Sequence, residues 1–359
     1  MSDLFDPLTF AHGPAMTNRL MLAPLTNVQS HPDGILSDAE VNWLTMRARG
    51  GFGLVMTAAA YVQQAGKGFP GQIGIHNDAC VSGLSRLAAA IKAEGCPAAV
   101  QLYHGGFRAD KAAAGVPLVG PSDDAGTGAR AMSTSEVEAM IEAFVASAER
   151  AERAGFDGVE IHGAHSYLLC EFLSSEHNRR EDAYGGSLEN RARPIRAIIA
   201  GIRQRCGADF TLGLRLSAER MGLEIAESRA LSGSLLAEGQ LDYLDLSLWD
   251  VFKEPEDEAF KGRPLINWFT DLPRGKTRLG VAGFVRSGPD ARACLDAGAD
   301  FVLIGRAAIV HHDFPQRVRE AADFAMPALP IDPDHLAAEG VSPPFLKYLG
   351  NFPGFIVKA

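Results

Sequence analysis

The sequence predicts an α/β protein folded as a single (β/α)8 TIM barrel, and three observations carry that prediction. Short apolar runs recur eight times, each is followed by a stretch with helical spacing, and no Pro/Ser/Gly-rich linker divides the 359 residues. The runs are RLMLAPL (19–25), GLVMTAA (53–59), AAVQLYH (98–104), GVEIHGA (158–164), TLGLRLS (211–217), YLDLSLW (243–249), RLGVAGF (278–284) and FVLIGRA (301–307). Parallel strands buried on both faces read as continuous apolar runs of this kind. A doubly wound sheet is the rival architecture, but its dinucleotide turn G-x-G-x-x-G is missing after the first run.

Between the runs the helices announce their ends. In the stretch after the third run, Ser133 or Ser135 can cap the start and Gly155 can close the end. The segment GPDARACLDAGAD repeats that logic in one short helix. Two regions interrupt the alternation. Residues 105–132 are rich in Gly, Ala and Asp and read as an excursion after the third strand. Residues 250–277 stand where the sixth helix belongs, yet contain three prolines and little periodicity, and are expected to be loops. The barrel is placed at about 18–326. An extension at about 327–359 is expected to pack on the barrel or on a neighbouring subunit, which leaves a homo-oligomer open.

Composition bounds the function. With 47% hydrophobic and 22% charged residues the chain has enough apolar material for a large core. Its net charge of -10 offers no broad cationic face, so nucleic acid is not an expected partner. MSDLFDPLTF lacks the basic start and apolar run of a signal peptide, and no stretch has spanning length, so a cytoplasmic protein without membrane contact is expected. Cys80, Cys96, Cys170, Cys206 and Cys294 are widely spaced with no C-x-x-C pair, which suits reduced thiols.

In a barrel of this type the reactive groups belong at the carboxyl ends of the strands. There the stretch GVEIHGAHSYLL (158–169) places His162, His165 and Tyr167. A catalytic zinc wants three protein ligands, and neither a local third ligand nor H-E-x-x-H is present, so no metal is expected. Arg215 lies inside the fifth run, where a guanidinium needs an anionic or strongly accepting partner. Both a salt bridge to Glu160 and the electron-rich edge of a cofactor answer that need. Gly283 and Gly305 follow the seventh and eighth strands, where backbone amides can approach a phosphate, and Arg306 can add charge-assisted bonds.

Taken together these residues resemble the Old Yellow Enzyme family of flavin-dependent ene reductases. The similarity runs from NRLMLAPLTN (18–27) through GFDGVEIHGAHSYLLCEFLSSEHNRREDAYGGSLENRAR (155–193) to GVAGF and LIGRA. It implies non-covalent FMN as the phosphorylated ligand. Pro24, Leu25, Thr26 and Ala58 match positions lining the isoalloxazine, with Thr26 where the reduction potential is adjusted. Gln101 matches the partner of the pyrimidine edge, Arg215 the cation beside the ring, and Gly283, Gly305 and Arg306 the phosphate site. His162 and His165 match the pair that binds a substrate carbonyl oxygen, and Tyr167 the proton donor. The HNRR...YGGSLENR segment is mainly architectural in this family, and Ser187 can cap the helix that starts near Leu188.

The resemblance further implies that NADH or NADPH reduces the flavin and that an activated alkene, such as an enone, a nitroalkene or a quinone, then enters the same face in a ping-pong cycle. The stretch NVQS lacks the tyrosine some relatives place after Thr26, while Trp249 and Phe252 stand after strand six. Tyr103 is a candidate pocket wall. Two other readings compete: a flavin-free lyase or aldolase, which would need a Schiff-base lysine or a metal set, and a non-catalytic flavin-binding sensor.

Overall fold

The computed structural model describes residues 3–357, so the two residues at each terminus, including the last two of the expected extension, lie outside the description. Eight strands form the barrel: Leu20–Leu22, Leu54–Tyr61, Ala98–Tyr103, Gly158–Gly163, Thr211–Ser217, Tyr243–Ser247, Arg278–Ala282 and Phe301–Ile304. Each falls on one of the apolar runs, with the second continuing to Tyr61. All pair in parallel with their neighbours, and the eighth closes on the first through Met21 opposite Leu303.

The barrel interior is filled by large residues set against glycines. A side chain on Gly213 would meet the Tyr243 ring at 2.0 Å, and one on Gly280 would meet the Phe301 ring at 2.3 Å. These close approaches let Tyr243 and Phe301 pack with Met21, Leu54, Met56 and Leu303 at crystal-like density. The amino-terminal segment closes the bottom: Leu8 bridges Met16, and Phe10 lies 5.4 Å from the Tyr243 ring. Only the carboxyl ends of the strands are left to hold a ligand.

Of the two candidate caps for the helix Thr134–Arg153, Ser133 is the one used. It accepts from Glu136 N, and the Glu136 side chain returns the bond to the cap backbone. Gly155 follows at φ 91°, a conformation that suits glycine, and ends the helix. Ser187 caps Leu188–Arg205 by accepting from Asn190 N. The charged block before it is structural: Asn178 donates to Phe172 O and Tyr184 O, and buried Arg191 donates to Gly186 O.

The excursion after the third strand carries a short ladder, Val119–Gly120 with Arg130–Ala131, over a small core of Phe107, Ala109, Leu118 and Ala129. Residues 250–277, expected to be loops, are not wholly so. A single helical turn, Asn267–Thr270, stands in the sixth helical position because Leu265, Ile266 and Phe269 are fully buried there. The extension folds as two short helices, Pro333–Ala338 and Pro343–Leu349, against the first barrel helix, Asp38–Arg49. Phe345 meets Trp43 edge-on at 5.6 Å, and Arg47 donates to Glu339 O at 2.8 Å. No helix among the described residues is long and apolar enough to cross a membrane.

Candidate active site

Two adjoining cavities open at the carboxyl ends of the strands, of about 520 Å³ and about 300 Å³. Pro24, Leu25, His165, Arg215, Trp249 and Arg306 line both. Thr26, Gln101, Tyr103, His162 and Tyr167 line the larger, and Gly283 and Gly305 the smaller. Ala58 is the correction. A register shift between Met56 and Ala59 turns it into the helix-facing core, and Ala59 lines the cavity in its stead.

His162 ends the fourth strand. Beyond Gly163 and Ala164 the chain takes two left-handed residues, His165 at φ 64° and Ser166 at φ 56°, before Tyr167 opens the short helix Leu168–Leu173. Such conformations cost free energy in non-glycine residues and persist only where surrounding contacts enforce them. Here the turn brings His165 back within 3.2 Å of His162, Nδ1 to Nε2. The proton order follows from the backbone. Ala164 N–H donates to His162 Nδ1, so the proton of neutral His162 resides on Nε2 and is given to His165 Nδ1. His165 therefore carries its own proton on Nε2, 2.7 Å from Ser247 Oγ. An incoming oxygen competes for these two N–H groups. Ser247, and Ser217 whose Oγ accepts from His165 N, were missed in the sequence. Their signal was a serine at inward parity near the ends of strands five and six.

Burial holds both imidazoles neutral. It pushes His162 well below its usual value, with His165 and Arg215 adding repulsion, and brings His165 down to about 3 with help from Arg215 and Arg108. Unfolded histidine titrates near 6.5, so the unfolded chain binds protons first as the medium is acidified. These residues thus contribute stability above about pH 6.5 that is lost as pH falls toward 3. In the folded protein, the imidazole NMR signals of His162 and His165 are expected to stay flat from pH 8 to 5. An inflection near 6.5 would show that one imidazole charges after all.

Arg215 does not pair with Glu160. Strand register sets Arg215 between His162 and Asp245, and its Nε lies 3.0 Å from Asp245 Oδ2, without the alignment of a hydrogen bond. Glu160 instead accepts from Gln101 Nε2 at 2.7 Å. Burial, reinforced by Asp245, raises Glu160 to about 8, and burial raises Asp245 to about 6 against the pull of Arg215. Of the two, Asp245 is the one placed beside the guanidinium, where a negative charge is best tolerated.

Tyr103 is 1% exposed and packs edge-on to Tyr167 at 4.5 Å. A side chain on Gly68 would meet its hydroxyl at 2.4 Å, so that oxygen lies against the Gly68 loop. Trp249 is 57% exposed at φ 65°, a rim residue, while Phe252 lies outside both cavities. Tyr348, Leu349, Phe352 and Phe355 of the extension complete the larger cavity, a contribution invisible in the sequence because it depends on where the extension docks.

The smaller cavity fits a phosphate. Gly283, at φ 152°, has Trp249 backbone 2.9 Å from where a side chain would begin, so bare backbone faces the cavity. Arg286 and Arg306 both lie over the Phe284 ring, at 4.5 and 5.3 Å, and Arg286 Nε is buried without a partner. Burial and the charge of Arg286 lower the pKa of Arg306, the mark of two cations that want an anion between them. Arg286 was also missed in the sequence, three residues beyond Gly283. A phosphate site at the ends of strands seven and eight, joined to a larger cavity lined by Gln101 and Arg215, suits FMN.

Barrel and site thus define an FMN-dependent oxidoreductase that uses NAD(P)H as reductant. The chain belongs to the NADH:flavin oxidoreductase / NADH oxidase family, that of the Old Yellow Enzymes, whose model matches residues 3–323. It is 38% identical over 333 residues to a probable NADH-dependent flavin oxidoreductase, YqiG, of Bacillus subtilis (strain 168), covering 89% of this chain and 88% of the relative. Among solved structures, the Old Yellow Enzyme homologue from Zymomonas mobilis matches with a TM-score of 0.81 at 25% identity, over 93% of this chain and 96% of that one. Morphinone reductase in complex with tetrahydroNAD matches with a TM-score of 0.78 at 28% identity, over 94% of each chain.

Proposed function

We propose that this enzyme reduces the C=C bond of activated alkenes, α,β-unsaturated carbonyls foremost, in a ping-pong cycle. The observation that carries the reading is the neutral imidazole pair with Tyr167 beside it on one cavity wall. His162 and His165 donate N–H bonds to the substrate carbonyl oxygen, and so draw electron density from the far alkene carbon. FMN, once bound, supplies the hydride it has taken from the nicotinamide. The Tyr167 hydroxyl gives a proton to the α-carbon as a positioned general acid. Arg215 and Gln101 would hold the ring edge, Thr26 lies on the same wall, and Arg286 and Arg306 with the Gly283 and Gly305 backbone would hold the phosphate.

The test is anaerobic steady-state turnover of cyclohexenone with NADH and with NADPH. The expected result is alkene reduction with parallel double-reciprocal lines, because one cavity serves both partners in turn. Intersecting lines would remove the ping-pong order. No enone reduced anaerobically, with NAD(P)H consumed in a parallel aerobic assay, would make the chain an oxidase.

A further inference from the structure

Arg108 has no task in the chemistry above, and its setting is unusual. It ends the 3-10 turn Gly106–Arg108 after the third strand, and lines the larger cavity. One guanidinium nitrogen donates to His165 O at 2.6 Å, and the group lies 4.8 Å over the Tyr167 ring. Among the described residues no carboxylate forms an ion pair with it. The carboxyl in its neighbourhood, Glu171, accepts instead from Phe107 N at 2.7 Å, and burial pushes its pKa well above the usual range. The lining of the larger cavity contains Arg108, Arg215 and Arg306 but no Asp or Glu, in a chain of net charge -10. Asp245 answers Arg215 from below, and Arg306 belongs with Arg286 at the phosphate end. Arg108 is left as a solvent-exposed cation, without an ion-pair partner among the described residues, whose guanidinium is directed by its bond to His165 O along the wall that holds the proton donor.

We propose that Arg108 anchors a carboxylate of the substrate, so that the preferred acceptors are activated alkenes that carry a carboxylate beside the carbonyl-activated double bond. This rests on the alkene-reductase reading and names its substrate class. A guanidinium offers a carboxylate two parallel N–H donors, and one that already spends a bond on His165 O is fixed in direction before the substrate arrives. The other oxyanion that reaches this face is a phosphate of the nicotinamide dinucleotide, and the experiment separates the two.

Phenol, 3-hydroxybenzoate and 4-hydroxybenzoate are titrated into the FMN-loaded parent, Arg108→Gln and Arg108→Lys, with the flavin spectrum as readout. All three place an oxygen on the imidazole pair, and the two acids add a carboxylate at two distances. The parent is expected to bind at least one acid about tenfold or more tighter than phenol, the size of a charge-assisted bond. Arg108→Gln should erase that preference and Arg108→Lys retain part of it. Because the result is a ratio to phenol, a disturbed His165 cancels from it. Equal affinity for phenol and both acids in the parent, or an unchanged ratio in Arg108→Gln, would overturn the proposal. So would weakened binding of tetrahydroNAD in Arg108→Gln with the acid preference intact, since the guanidinium would then serve the dinucleotide. These titrations need no turnover, so their failure is separable from a failure of alkene reduction, which the cyclohexenone assay reads.

Discussion

Tyr167→Phe is expected to slow the step that consumes the alkene by about 100- to 10,000-fold, the usual worth of general-acid assistance, while the step that consumes NAD(P)H stays near the parent rate. The asymmetry follows from the chemistry: reduction by a nicotinamide needs no protein proton, whereas saturation of an enone needs one at the α-carbon. The substitution is a clean one. The Tyr167 ring is held edge-on by Tyr103 at 4.5 Å and His162 at 5.1 Å, and Arg108 lies over its face, all contacts that phenylalanine keeps. The defect should shrink for a nitroalkene, which stabilises its own anion long enough for water to protonate it. Stopped-flow measurement of the two halves is decisive. Equal slowing of both would mean that Tyr167 shapes the cavity, and a fully active variant would place the proton source elsewhere.

What could be read in advance was whatever depends on local pattern. Eight buried parallel strands leave eight apolar runs, and a helix leaves Ser133 or Ser135 at its start and Gly155 at its end, so barrel and helix boundaries are visible in one dimension. His162, His165 and Tyr167 were visible for the same reason, as polar groups at the end of such a run. Partners set by register were not. Glu160 and Asp245 have equal claims on Arg215 until strand pairing sets Arg215 opposite Asp245. Ala58 has the right parity on an ideal strand, and only the irregularity before Ala59 sends it outward. The contribution of Tyr348 and Phe352 depends on how a distant segment docks, which no local spacing encodes.

The Arg215–Asp245 pair makes the second large effect specific. Arg215→Met is expected to destabilise the protein by about 3–5 kcal/mol, because it leaves buried acid without its counter-charge. It is also expected to lower the reduction potential of the bound flavin, in the proposed placement where Arg215 faces the edge of the ring that gains charge. A charge-assisted contact of about 1.5–3 kcal/mol corresponds to about 30–65 mV for a two-electron couple. The single variant cannot tell these apart, since a loosened site also alters potential. Asp245 resolves it. In Arg215→Met/Asp245→Asn both charges are gone and nothing buried is left uncompensated, so most of the lost thermal stability should return. The potential should not, because it depends on the cation facing the ring and not on the balance beneath it. Asp245→Asn alone should shift the potential the other way, upward, since it leaves the guanidinium unneutralised beside the flavin. Thermal unfolding and a dye-equilibrated potential on all four proteins measure both quantities. If potential and stability recover together in the double variant, Arg215 is a structural partner of Asp245 and the flavin draws no charge stabilisation from it.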